Sequence, residues 1–145
     1  MRELPRKLTV EELEELFEGR TALVEKLAAV EDPLGRAHEV IAGLSEEEKI
    51  EALAAHPAIG ARRLSARSFA EQGASADPAV LSELAYMNRV YEEKFGFRFV
   101  VFVAGRPKRE ILGVLHERIA NTREQELETG CRELVAIARD RWTRT

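Results

Sequence analysis

The rest of the chain is organised around residues 56–72, whose sequence is HPAIGARRLSARSFAEQ. Pro57 ends the helix before it, because a proline pushes the preceding residue out of the α region. His56 is therefore expected at a helix C-terminus, where the negative end of the helix dipole favours the charged imidazolium. A histidine in that position is suited to act as a general acid or base.

The same stretch carries a polar helix face. Ser68, Glu71 and Gln72 stand at positions i, i+3 and i+4, so on a helix their side chains project from one side. This face can offer a hydroxyl, a carboxylate and an amide to one small polar ligand. Both features also have ordinary structural interpretations, since His-Pro often only marks a helix end and such faces are often solvated surface. The residue chemistry alone leaves the two interpretations open.

Composition places the chain among soluble globular proteins. At 145 residues, 45% hydrophobic and 33% charged, residues 1–145 are expected to form a single domain with a real core. The net charge of −4 argues against a nucleic-acid partner. The one cysteine, Cys131, excludes an intrachain disulfide and a multi-cysteine zinc site, and is expected in the core or at its boundary. With no signal peptide and no membrane-spanning run, we expect a cytoplasmic protein without a membrane partner.

Capping patterns predict an all-α fold, a single compact domain of about eight helices. Three capping boxes open helices, and these are Thr9 to Glu12, Ser45 to Glu48 and Thr122 to Gln125. Asp32-Pro33 is expected to cap a third helix that runs to about Ala42. Asp77 is expected to cap a helix from about Pro78 to Phe95.

A short apolar segment after that helix has a different character. Phe99 to Val103 is β-branched and aromatic, and it is predicted to be extended and buried. A lone extended segment among helices has no strand partner, so its backbone groups must bond elsewhere, and a ligand is one candidate. Asn88 and Tyr91 lie on the apolar face of the preceding helix. They are expected either to brace a loop or to line a pocket, bracing being the commoner role.

Several kinds of chemistry lack their sequence patterns here. The chain has no glycine-rich phosphate loop, nucleophile elbow, His-Glu-x-x-His motif or Cys/His cluster. His38, His56 and His116 have no spacing that suggests a metal site, so no metal is expected. Acid–base chemistry by His56 and Glu71 remains, with arginines available to hold an anion. The candidate arginines are Arg62, Arg63, Arg67, Arg106, Arg109, Arg139 and Arg141.

Four motifs taken together resemble one known family. They are His56-Pro-x-Ile-Gly60, Ser68-x-x-Glu-Gln72, Asn88-x-x-Tyr91 and Phe95-Gly-Phe-x-Phe-Val100. In this order and spacing the chain resembles the 2-oxo-4-hydroxy-4-carboxy-5-ureidoimidazoline (OHCU) decarboxylases of the urate pathway. Arg118-Ile-x-Asn121, Glu126 and the stretch from Ile137 to Arg141 continue the resemblance, which covers about residues 45–142.

The resemblance implies an all-helical enzyme, usually a homodimer, that converts OHCU to (S)-allantoin and carbon dioxide without a cofactor. It implies that His56 is catalytic, assisted by Glu71. The residues that it implies for substrate binding are Pro57, Ser68, Gln72, Phe99, Val100, Val101, Phe102, Val103 and Arg141. Arg139 lies close enough in sequence to be the alternative for the late arginine.

The chain also departs from the family pattern. Ala58 replaces an aspartate that often follows His-Pro, and the N-terminal third lacks an aromatic-rich entrance segment. Two alternatives follow from these differences. One is a related enzyme that acts on another ureido or imidazoline acid, and the other is a helical binding module that has lost catalysis. Retention of His56, Glu71, Gln72 and Arg141 together argues against the binding module.

Overall fold

The computed structural model describes residues 3–58 and 77–144, and these fold into seven α-helices without a β-strand. The helices are α1 (Val10–Phe17), α2 (Ala22–Ala28), α3 (Ala37–Ala42), α4 (Glu46–Ala54), α5 (Pro78–Phe95), α6 (Lys108–Arg118) and α7 (Arg123–Thr143). The predicted all-α class is confirmed. The polar helix face predicted at residues 68–72 lies outside the described residues.

Local capping residues begin the helices where the sequence predicts. In all three capping boxes the side chain of the first residue accepts from the backbone N–H three residues on, and the reciprocal bond is present. Asp77 accepts from the N–H of Ala79 at 2.8 Å, and Pro78 occupies the first turn of α5. These bonds satisfy backbone donors that a helix N-terminus leaves without partners.

The start of α3 corrects one prediction. Asp32 does not cap a helix, because its φ of 52° is left-handed and its N–H donates to the carbonyl of Arg6 at 2.7 Å. Residues 31–36 form turns instead, and α3 begins at Ala37. The turn is tight, since a Cβ on Gly35 would lie 2.3 Å from the Asp32 carboxylate. A contact with a distant residue has overridden the local capping preference.

The longest helix, α7, forms the centre of the packing. It contacts α1, α3 and α4, while α2 packs against α1, α3 and α4. Gly130 allows α7 to approach α4 closely, because a Cβ at this position would lie 3.2 Å from Leu53. Helices α5 and α6 pack against each other. Among the described helices, none is both long enough and apolar enough to cross a membrane.

The connection between α5 and α6 contains the segment predicted to be extended. Residues 98–103 have neither helix nor strand pairing, and Phe99, Val100, Val101 and Val103 are buried. Side chains provide hydrogen-bond partners for some of the backbone groups of this segment. Arg106 donates to the carbonyl of Phe102 at 2.6 Å, and the N–H of Phe102 donates to Glu133 at 3.3 Å. The segment thus lies in the core without belonging to a sheet.

A buried carboxylate joins the helices around this segment. Glu126 in α7 is fully buried and accepts from the Tyr91 hydroxyl at 2.6 Å, Arg118 Nε at 2.8 Å and Asn121 at 2.9 Å. Burial raises the pKa of Tyr91 well above its ordinary value, and the hydrogen bond to Glu126 raises it further. The phenol therefore stays protonated and donates. Tyr91 therefore has the bracing role.

Arg118 links the hydrogen bonds of Glu126 to the backbone of residues 98–103. Its Nη1 donates to the carbonyl of Val100 at 2.7 Å, and its guanidinium lies 4.5 Å from the centre of the Phe99 ring. A buried cation is stable only when it is paired and hydrogen-bonded. Because Glu126 neutralises Arg118, the guanidinium can hold the backbone of the segment inside an apolar core.

We expect Glu126→Gln to lower the free energy of unfolding by about 3 kcal/mol, because it leaves the Arg118 charge buried without its counter-ion. Glu128→Gln is the matched control, since Glu128 also pairs with an arginine, Arg132, but is 73% exposed. That variant should lose at most about 0.5 kcal/mol. Urea unfolding followed by circular dichroism measures both, and equal losses would contradict the assigned role of Glu126.

Candidate active site

His56 lies just beyond the C-terminus of α4. The helix ends at Ala54, and the N–H of His56 donates to the carbonyl of Leu53 at 3.2 Å. The helix ends before Pro57, as predicted, but at Ala54, so His56 follows the helix and does not lie in its last turn. His56 is only 5% exposed, whereas Pro57 and Ala58 are half-buried. Within the described part of the chain, Nε2 of His56 is buried without a hydrogen-bond partner. A buried ring nitrogen without a partner is unusual, because most buried polar groups in proteins are hydrogen-bonded.

The charge state expected for His56 is wrong. Burial lowers the pKa of His56 from 6.5 to about 4, and the positive charge of Arg141 acts in the same direction. Glu18 raises the pKa and Arg98 lowers it, both to a smaller extent. Desolvation and two nearby guanidinium groups outweigh the field of the helix end. His56 is therefore a neutral imidazole at neutral pH, able to accept a proton.

Arg141 connects the C-terminus of α1 to this region. Its side chain is buried, its Nη1 donates to the carbonyl of Leu16 at 3.1 Å, and its Nη2 lies 3.1 Å from Oε1 of Glu18. Glu18 ends α1 in a left-handed conformation with φ of 66°. The next residue, Gly19, packs against Ala55, since a Cβ built on it would lie 3.5 Å from that of Ala55. The ends of α1 and α4 thus meet beside His56.

The two late arginines have different surroundings. Arg139 donates to the carbonyls of Leu34 at 2.9 Å and Gly35 at 3.4 Å, so it braces the turn before α3. Arg141 is the one whose charge acts on His56. The electrostatic effect on His56 therefore favours Arg141 over Arg139 as the late arginine near the imidazole.

Arg98 is a component that the sequence reasoning missed. Its Nη1 donates to the carbonyls of both Ala54, at 3.2 Å, and His56, and its Nε bonds to Glu92 at 3.2 Å. It therefore links the segment at residues 98–103 to the end of α4. A signal was present, because a cation between two buried aromatic residues must find polar partners.

The structure brings together only part of the predicted site. Arg98 ties His56 to the chain that continues into the segment from Phe99 to Val103, and the charge of Arg141 also acts on His56. Ser68, Glu71 and Gln72 lie outside the described residues. No three His, Cys, Asp or Glu side chains among residues 3–58 and 77–144 are grouped so as to hold a metal ion.

A separate cavity of about 510 Å³ opens between α3, α4 and α7. The described residues that line it include no predicted site residue, and they are His38, Ile41, Ala42, Glu46, Lys49, Arg123, Glu124, Leu127, Glu128, Cys131 and Arg132. Cys131 is buried there, as predicted, and burial raises the pKa of its thiol to about 11. The thiol is thus protonated at neutral pH and is a poor nucleophile.

Comparison with protein families decides the classification. The model of the OHCU decarboxylase family matches residues 2–143. The chain belongs to the OHCU decarboxylase family. The resemblance noted in the sequence is thereby confirmed.

Curated members of the OHCU decarboxylase family are recognisably similar. The Arabidopsis thaliana uric acid degradation bifunctional protein TTL is 37% identical over 98 residues, in a match that covers 61% of this chain and 30% of that protein. The OHCU decarboxylase of Haloferax volcanii is 34% identical over 100 residues, covering 65% of this chain and 59% of that protein. That of Halalkalicoccus jeotgali is 31% identical over 99 residues, covering 65% and 56%. The chain therefore spans about a third to three fifths of these relatives.

Solved structures of the OHCU decarboxylase family share the fold. A crystal structure of an OHCU decarboxylase in the presence of (S)-allantoin has a TM-score of 0.76 and 26% identity, covering 90% of this chain and 94% of that one. A crystal structure of an (S)-allantoin synthase has a TM-score of 0.69 and 23% identity, covering 91% of this chain and 47% of that one. At 23% identity, the similarity to the (S)-allantoin synthase is evidence for the fold alone.

The buried neutral His56 predicts how stability depends on pH. Because its folded pKa is about 4 and its ordinary value 6.5, the stability it contributes is complete above pH 6.5 and is lost as the pH falls toward 4. Between pH 7 and pH 4 we expect the wild type to lose about 3 kcal/mol more than His56→Gln. Denaturant unfolding of both proteins across this range measures the difference. Parallel pH curves would show that His56 is not buried in its neutral form.

Proposed function

We propose that this protein is an OHCU decarboxylase that produces (S)-allantoin and carbon dioxide. The observation that carries the proposal is His56, a buried neutral imidazole whose Nε2 lacks a partner in the described part of the chain, beside the buried Arg141. Membership of the family supports the substrate. Together these features provide a proton acceptor and an anion-binding cation in one enclosed place.

The substrate itself supplies the electron sink. When its C4–carboxylate bond breaks and carbon dioxide leaves, the electron pair forms a C4=C5 double bond, and the π pair of the ring C5=N bond moves onto the nitrogen, which takes up a proton from solvent. This leaves an enol at C4. The enol hydroxyl then loses its proton as C4=O forms, and C5 gains a proton on one face, which gives one enantiomer of allantoin. Because the ring accepts the electrons, the proposed reaction uses no cofactor.

In this proposal neutral His56 accepts the hydroxyl proton and returns a proton to C5. The lowered pKa keeps His56 unprotonated at neutral pH, as proton acceptance requires, but it also makes the imidazole a weak base. The negative charge of the bound substrate would favour the imidazolium and so offset part of this shift. Glu71 orients His56, and Arg141 stabilises the negative charge of the substrate. Ser68 and Gln72 bind the substrate by their side chains.

Backbone groups complete the proposed substrate site. Pro57 and the segment from Phe99 to Val103 line it. Arg118 bonds to the carbonyl of Val100 near one end of the segment, and Arg106 bonds to those of Phe102 and Val103 at the other end. A backbone held in this way is preorganised, which is what binding and positioning of a small polar substrate require.

We further propose that residues 1–145 form one domain, that the enzyme is a homodimer and that it acts in the cytoplasm.

A related ureido or imidazoline acid is the second candidate substrate. Ala58 is half-buried next to Pro57 and carries no charge where the family often has an aspartate. A thermal-shift comparison with purines, allantoin and ureido acids separates the candidates, because a ligand that binds the folded state raises the melting temperature.

We expect the wild type to accelerate the formation of one enantiomer of allantoin, and His56→Ala to lose at least about 100-fold in kcat. OHCU is generated in the cuvette from urate by urate oxidase and hydroxyisourate hydrolase, and the optical activity of the product is followed. His38→Ala is the control, since His38 is exposed and far along the sequence from His56. Circular dichroism verifies that each variant is folded.

Two results would overturn the proposal. One is a folded wild-type protein that does not accelerate the reaction above its spontaneous rate. The other is a His56→Ala variant with the activity of the His38→Ala control. Acceleration on a different ureido acid alone would favour the second candidate substrate.

A further inference from the structure

Arg98 makes contacts that a surface arginine does not need. Its side chain is 31% exposed, yet its Nη1 donates to two backbone carbonyls, those of Ala54 and His56. Its Nε bonds to Glu92 in the last turns of α5. The backbone of Arg98 is itself held, because Phe97 and Phe99 on either side are buried. A backbone held by two buried neighbours thus places the guanidinium of Arg98 against the backbone of His56.

The carbonyl of Ala54 lies at the C-terminus of α4 and that of His56 just beyond it, where backbone carbonyls lack partners within the helix. A cation placed there is favoured by the helix dipole, and a planar guanidinium fixes the directions of its bonds. One donor nitrogen that bridges Ala54 and His56 restricts the backbone between them. The direction in which the His56 side chain leaves that backbone is restricted as a result.

We propose that Arg98 is a positioning residue that holds His56 at the geometry needed for proton transfer and sets its distance from the segment at Phe99 to Val103. The inference rests on the proposed decarboxylation. Arg98 does not need to touch the substrate in this role. It acts through the carbonyl of His56, so its loss should affect the chemical step more than substrate binding.

The charge of Arg98 is separable from its geometry. The charged groups that act on His56 are Arg141 from α7, Glu18 from the end of α1, and Arg98 itself. Lysine at position 98 keeps the positive charge but loses the planar fork. Methionine removes both. The pair of variants therefore distinguishes a positional from an electrostatic contribution.

We expect Arg98→Lys to lower kcat about tenfold while KM changes less than about threefold, because small displacements of a catalytic group reduce rates steeply. Arg123→Lys is the matched control. Arg123 also joins a carbonyl at a helix end, that of Phe95, to a carboxylate, that of Glu46, but these partners are not at the end of α4 that carries His56. The control should keep the wild-type kcat. A wild-type kcat in Arg98→Lys, or a loss confined to KM, would overturn the inference.

A second readout does not depend on activity. The histidine signals in a proton NMR titration report the pKa of His56 directly, and a spectrum of His56→Gln assigns the signal among the three histidines. The pKa of His56 should rise in Arg98→Met and stay near the wild-type value in Arg98→Lys. An unchanged pKa in Arg98→Met would overturn the contact between Arg98 and His56. Absence of turnover in the wild type with the expected NMR result would overturn the proposed function and leave that contact standing.

Discussion

The ion pair between Arg118 and Glu126 is the interaction on which the arrangement of this fold depends. Its side chains are 8% and 0% exposed, so the charges neutralise each other in an apolar core. Through it α5, α6 and α7 are tied together, and the backbone of residues 98–103 is held without a sheet. An irregular segment can lie inside a protein only when its polar groups have such partners. The carboxylate of Glu126 is therefore what makes a buried non-helical segment possible in an all-α protein.

Around His56, arginine side chains likewise bond to backbone carbonyls, here at the ends of helices. Arg141 bonds to the last turn of α1, and Arg98 bonds to the end of α4. Both guanidinium groups place positive charge near an imidazole that burial has already made hard to protonate. The contacts that build the site thus also determine its charge state. After burial, which is the largest cause, these two side chains contribute to keeping the histidine neutral.

The sequence predicts those features that neighbouring residues determine. Thr9 and Asp77 begin helices where expected, because the bonds that cap them lie within a few residues. Asp32 has the same capping chemistry, but a bond to Arg6 gives its backbone another conformation. The charge of His56 was predicted wrongly for a similar reason, since burial and Arg141 belong to the tertiary structure. Arg98 escaped notice because its partners lie 42 and 44 residues away.

The distances along the chain between these partners have a consequence for how the protein folds. Arg141 and Leu16 are separated by 125 residues, and their hydrogen bond closes nearly the whole described chain into one loop. Such contacts are costly in entropy until most of the structure is present, whereas single helix turns form early. A partly folded chain would therefore acquire its helices before its histidine was held in place. The burial of His56 would then be a late event in refolding, and it would report on the completeness of the tertiary structure more strictly than helix content does.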